Sequence, residues 1–255
     1  MHYTRSLALI LLVLSACNSV EEIQLESRQL EGEELVTCQE GPCPKISVEY
    51  LYPQIPEHGD SNLARAIDQW VVSAMLIREH QGVEPAFIPD AAERFALDYR
   101  NDKEEFPDMS GVYELTVNVT QTYDDHGLWC LKMEDYKYTG GAHGNASTSY
   151  LIYDSELEET VDFSDLIEDI DGFLELAERT FRGQLGIDSG VPINETGFWF
   201  ENDQFQLSKS IGLEDDRVVM VYNPYEIASY ADGTIVVEIP LTSAAPYLAL
   251  KNKDQ

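Results

Sequence analysis

The residues best placed to do chemistry lie in YKYTGGAHGNASTSYLIYD, Tyr136 to Asp154, where Tyr138, Gly140, Gly141, His143, Gly144 and Asn145 interrupt two strand-like runs. Two chemistries are open to such a stretch. Backbone N–H groups of a glycine-rich loop can cradle a phosphate, but the loop has no Lys-Ser/Thr ending and is not the dinucleotide fingerprint. His143 could act as a general base or a metal ligand, because loops beside sheet edges often carry function. The alternative is structural: its ring nitrogens fasten the turn to a neighbouring strand. A base at His143 needs an orienting carboxylate, and Glu226 in YNPYEIASY is the candidate, which makes a cell-wall hydrolase or esterase the rival reading. The remaining histidines are scattered at His2, His58, His80 and His126, with no pair at metal-binding spacing, so neither a metal nor a cofactor is expected.

Other motifs carry less. YDDHG, Tyr123 to Gly127, has the paired aspartates of metal-dependent polysaccharide deacetylases without their histidine pair, and it reads as a hairpin turn. A G-x-S-x-G nucleophile elbow is absent. Carboxylate pairs suited to glycoside hydrolysis mean little among 47 acidic residues. No catalytic set is complete, and a non-enzymatic protein is expected.

Charge narrows the partners. Lys and Arg total 16 against 47 Asp and Glu, a formal charge of -31 over 255 residues. Such a field repels nucleic-acid phosphates and anionic headgroups, excluding a nucleic-acid role, and accelerates encounter with a basic partner. At 44% hydrophobic residues the chain can bury an ordinary core.

The N-terminus reads as an export signal: His2 and Arg5, an apolar run from Leu7 to Leu14, then small residues. That run is too short to span a bilayer. Leu14-Ser15-Ala16-Cys17 resembles the bacterial lipobox, which implies removal of residues 1–16, lipid attachment at Cys17 and a membrane association through that anchor alone. Asn18 after the cysteine resembles an outer-membrane rather than an inner-membrane sorting signal, and Glu21-Glu22 loosely resembles a surface-export signal. Exported chains keep disulfides, and CQEGPC sets Cys38 and Cys43 around a Gly-Pro turn. Their pairing is expected, with Cys130 buried as a small apolar residue; a Cys43–Cys130 bridge competes.

The elements that must position the motif follow from periodicity. Residues 17–44 are acidic and weakly patterned, and read as a tether. KISVEYLYPQI is a first strand. DSNLARAIDQWVVSAMLIREH, with Asp60 or Ser61 as cap, and PDAAERFALDYR, with Asp90 as cap, are helices. Tyr113, Leu115, Val117 and Val119 alternate with polar residues in a strand, followed by strands in LWCLKMEDYKY and STSYLIYD. DGFLELAERTFRGQLGI is a further helix, and a hairpin and a last strand end the fold. The expected class is α+β, antiparallel sheets packed with helices in two helix-plus-sheet units, residues 45–135 and 136–255.

YKYTGGAHGNASTSYLIYD together with YNPYEIASYADGTIVVEIPL is similar to the RsiV-like family, the extracytoplasmic domain pair of RsiV-type anti-sigma factors and of the non-catalytic part of the peptidoglycan deacetylase PdaC. The resemblance runs from about Cys43 to Tyr247. It implies no enzymatic activity for this pair, contact of Tyr138, His143 and Asn145 with the segment carrying Tyr225, Glu226 and Tyr230, and a basic lysozyme-like protein or peptidoglycan as partner. A structural envelope lipoprotein without a soluble ligand is the blander alternative.

Overall fold

Alternating apolar residues lay down a central sheet, and amphipathic helices cover it. The computed structural model describes residues 24–39, 41–54, 61–77 and 84–250. In chain order the elements are β1 (Leu25–Glu31), α1 (Val36–Gln39), β2 (Lys45–Pro53), α2 (Asn62–Met75), α3 (Ile88–Glu105), β3 (Glu114–Asp125), β4 (Leu128–Tyr138), β5 (Asn145–Asp154), β6 (Glu159–Val161), α4 (Ile170–Leu185), β7 (Ser210–Glu214), β8 (Arg217–Tyr222), β9 (Ile235–Pro240) and α5 (Leu241–Ala244). Strands β1 to β6 form one sheet in sequential order, and β7 to β9 a second. The expected signal sequence, Cys17, His2, His58 and His80 lie outside the described residues. Among the described residues, no helix is long and apolar enough to cross a membrane.

The fold is α+β, with one departure from purely antiparallel pairing: β2 and β3 are parallel, Lys45 opposite Glu114 and Glu49 opposite Asn118. The chain between them forms α2 and α3, and such a crossover returns it to the starting end of the sheet, so β3 must run beside β2 in the same direction. Helix α2 begins at Ser61, whose hydroxyl accepts the Ala64 N–H, and buries Leu63, Ile67, Val71 and Met75. Helix α3 starts earlier than the sequence suggests. Its cap position is Phe87 and Pro89 occupies the first turn, where a missing N–H costs nothing, so Asp90 is a first-turn residue rather than the cap.

The segment expected to be a tether is folded from Leu25 onward. Strand β1 pairs with β2 along its whole length, Leu25 opposite Pro53 to Glu31 opposite Ser47. Ser27, Arg28 and Gln29 at its centre are polar, which suits an edge strand held by backbone hydrogen bonds rather than by a buried face. Glu93 of α3 then accepts the N–H groups of Val36 (2.6 Å) and Thr37 (3.0 Å), capping α1. Cys38 and Cys43 are joined by a disulfide, S–S 2.02 Å, and Cys130 is a buried free thiol.

The expected boundary between residues 135 and 136 falls inside β4, which serves two cores at once. Trp129, Leu131 and Met133 join Phe95, Ile67 and Val117 beneath the helices. Leu128 and Cys130, pointing the other way, join Phe173, Phe181, Leu213 and Met220. Period-two alternation divides one strand between the two layers.

Candidate functional site

At the end of β4 the backbone must turn sharply, and Gly140 and Gly141 adopt φ of 96° and 90°, which favour a residue without Cβ. Gly144 answers a different need. A Cβ there would lie 2.4 Å from Tyr136 Cζ, so the Tyr136 ring can cross the backbone only over glycine. The Gly144 carbonyl is then pinned twice, by His143 Nδ1–H (2.9 Å) and by the Tyr230 hydroxyl (3.0 Å). The shared acceptor fixes the His143 proton on Nδ1. Its ring lies against Tyr230 with centroids 3.8 Å apart and planes 20° apart.

The facing loop follows β8. Asn223 supplies its anchor: its side-chain oxygen accepts the Thr148 N–H (2.8 Å) and its amide donates to the Thr148 carbonyl (2.9 Å) and to Ser210 Oγ (3.3 Å). This carboxamide copies the pairing of a strand along the outer edge of β5 and ties the two sheets together. The Glu226 carboxylate accepts backbone N–H groups from Lys209 and Asn223, both at 3.0 Å. Asp232 accepts the N–H (3.0 Å) and hydroxyl (2.6 Å) of Ser229, closing the last turn before β9. Tyr225 holds φ of 69° although it carries a side chain, its ring 57% exposed and 5.7 Å from Tyr230. Trp199, 48% exposed, is laid along this loop by its N–H to the Ile227 carbonyl (3.0 Å) and its indole N–H to the Glu226 carbonyl (3.2 Å).

Of the residues singled out by sequence, the fold brings His143, Gly144, Tyr225 and Tyr230 together. Tyr138 turns elsewhere, donating to the Gly141 carbonyl (3.2 Å) and lying against Gly111. Asn145 takes its place opposite Lys137 in the β4–β5 ladder. The Glu226 carboxylate holds the N–H groups of Lys209, before β7, and of Asn223 in its own loop, and His143 is engaged in the glycine turn. Among the hydrogen bonds these side chains make with the described residues, none joins the His143 ring to the Glu226 carboxylate. Trp199 and Asn223 were not flagged by sequence reasoning; the Asn-Pro dipeptide at Asn223 is a turn signal that marks the second of them. Among the described residues, no cluster of His, Cys, Asp or Glu is arranged to hold a metal.

Beneath this junction the sheets meet along β7. The Leu213 N–H donates to Cys130 Sγ (3.3 Å), while the Thr122 hydroxyl donates to the Leu213 carbonyl (2.7 Å). Cys130 thus fills space and also accepts a backbone N–H; burial pushes its thiol up to about 11. The Tyr150 ring lies on Gly212, where a Cβ would come within 2.1 Å, and its hydroxyl donates to Glu214 (2.6 Å).

The comparisons place these layers among known folds. A family model described as "Deacetylase PdaC" matches residues 41–146, and one described as a protein of unknown function, DUF3298, matches residues 163–242. The structure resembles a DUF3298-family protein of Bacteroides fragilis, with 19% identity, a TM-score of 0.65, and coverage of 89% of this chain and 94% of the other. It also resembles a DUF3298-family protein of Pseudomonas aeruginosa, with 18% identity, a TM-score of 0.57, and coverage of 89% and 93%. No curated protein matches the chain. The chain is thus similar to PdaC-type sequence over its first layer and to DUF3298 sequence over its second, on the fold of the DUF3298 structures.

Proposed function

We propose that the protein is a non-enzymatic binding module of the cell envelope, RsiV-like in its domain pair. In this reading it is exported, lipid-anchored through Cys17 to the outer membrane, and recognises a basic lysozyme-like protein or peptidoglycan. The observation that carries it is the use of His143 and Glu226 as pins. The histidine ring is stacked and hydrogen-bonded into the glycine turn, and both carboxylate oxygens of Glu226 hold backbone amides. A site built to hold a shape favours recognition over turnover. Similarity to PdaC-type sequence over residues 41–146 supports an extracytoplasmic setting, and the charge of -31 supports a basic partner.

The test is a calorimetric titration with a c-type lysozyme at low and high salt, with muropeptides in parallel. Saturable lysozyme binding that weakens as salt screens exposed charges beyond about 8 Å is the expected result. Turnover of muropeptides that disappears in His143→Ala while the circular dichroism spectrum persists would replace this reading with the hydrolase.

A further inference from the structure

The strand register sets two ends to the large sheet. The start of β1 pairs with the end of β2, Leu25 opposite Pro53. Because β2 and β3 are parallel, the β3–β4 turn at His126 and Gly127 and the end of β5 at Asp154 lie toward that same end. The glycine turn is at the other, where Tyr138 pairs with Glu114 and Asn145 with Lys137. Strand β4 alone, at about 3.4 Å per residue, separates the ends by roughly 34 Å. The glycine turn, and the Tyr225 loop that Tyr230 ties to it, therefore form the end of the large sheet opposite the start of β1.

We propose that this distal tip is a carbohydrate-stacking platform, with Trp199 and Tyr225 as its exposed rings and Tyr230 and His143 as their backing, for a neutral glycan of two or more pyranose units. The ligand class rests on the proposed envelope-binding function; the site itself rests on geometry. Tyr225 is the strongest mark. Its φ of 69° is a conformation that glycine adopts freely and a side chain adopts at a cost, yet the position carries a large ring, 57% exposed. Trp199 is exposed but not loose, since its indole N–H and its backbone N–H are both fixed to the Tyr225 loop. The Tyr225 ring lies 5.7 Å from that of Tyr230, which is itself stacked on His143 at 3.8 Å.

Flat aromatic faces carry partial negative charge and attract the partially positive axial C–H groups of a pyranose. A sugar also suits the local electrostatics. The chain's charge of -31 disfavours an anionic ligand. A cation-selective cage would present carboxylates to its ligand, whereas Glu226, Asp232 and Asp203 all accept backbone N–H groups, from Lys209 and Asn223, Ser229, and Asn194 respectively.

The experiment is a fluorescence titration of the purified chain with a β-1,4-linked N-acetylglucosamine tetramer. Separate titrations use an oligoarginine peptide and a c-type lysozyme. Of the three tryptophans, Trp129 is buried and Trp70 donates its indole N–H to Ser149, so Trp199 should report on the tip. The tetramer should give a saturable blue shift that Trp199→Phe removes. Tyr225→Gly should weaken binding roughly three- to tenfold, the worth of one aromatic stacking contact, with Tm unchanged or raised because glycine relieves the positive φ. No saturable response to the tetramer, or equal affinity in Tyr225→Gly, would overturn the platform. Oligoarginine binding that needs both rings, with the tetramer silent, would overturn it in favour of a cationic peptide. Lysozyme binding that persists in Tyr225→Gly, with the tetramer silent, would overturn the platform while sparing the binding-module reading. Silence with every titrant would overturn both.

Discussion

Asn223→Ala is the perturbation that tests the junction most directly. The side chain makes paired contacts with the backbone of Thr148, at 2.8 and 2.9 Å, and a third with Ser210 Oγ at 3.3 Å. A net value of about 1 kcal/mol for each of the two good hydrogen bonds gives roughly 2 kcal/mol. Exclusion of water from the half-buried Thr148 amide would add to this, because the N–H and C=O would both lose their partners. For a domain of this size such a loss lowers Tm by about 4–8 °C. The comparison is a pair of urea unfolding curves with Asn223→Asp as a third variant. The aspartate keeps an acceptor for the Thr148 N–H but loses the donor and sets a carboxylate against the Thr148 carbonyl, so it should be no more stable than the alanine. If Asn223→Ala changes stability by less than about 0.5 kcal/mol, the carboxamide contributes no bridge between the sheets.

Two further outcomes are expected. Cys130, buried at the sheet junction with its pKa raised to about 11 by desolvation, should resist iodoacetamide in the native protein and react fully in urea, as mass spectrometry would show; native labelling at the denatured rate would refute its burial. Burial raises the Asp68 carboxyl above its ordinary 3.8 against the opposing hydrogen bonds from Tyr52 and Ile88. The folded state therefore holds that proton more tightly than the unfolded chain does. Its stabilising contribution is full below about 3.8 and is lost as pH rises through the folded value, so Asp68→Asn should flatten the stability measured as pH rises from about 3.8, and an unchanged slope would refute the assignment.

Much of the fold was legible because its signals are local and redundant. Tyr113 to Val119 alternate cleanly, and Ser61 precedes a helix whose apolar face repeats at helical spacing. Strand β1 was not legible, since Ser27, Arg28 and Gln29 have no buried face to announce, and pairing with β2 supplies the order that their side chains do not. The parallel β2–β3 pair was hidden for a related reason: connection length signals hairpins, and the direction of β3 depends on how two helices cross the sheet. At the tip, glycines and tyrosines could be seen in sequence, but their partners could not. Tyr138 and Asn145 face their own hairpin, while Trp199 and Asn223 enter from segments distant in the chain.

The glycines and Tyr225 form an instructive contrast. Gly140 and Gly141 occupy positive φ with open space around them, so their identity follows from backbone conformation alone. Gly144 has ordinary φ and no room, so its identity follows from the Tyr136 ring that crosses it. Tyr225 satisfies neither account: its backbone favours glycine, its ring is largely exposed, and its contact with Tyr230 at 5.7 Å is not close enough to compel a ring there. Positive φ alone does not single it out, since His126, Glu158, Asn202, Asp203 and Asp215 share it; what sets Tyr225 apart is the large, exposed aromatic side chain carried there, on which the proposed platform rests. The proposed platform therefore directs the search for a ligand to this loop rather than to the acidic surface at large.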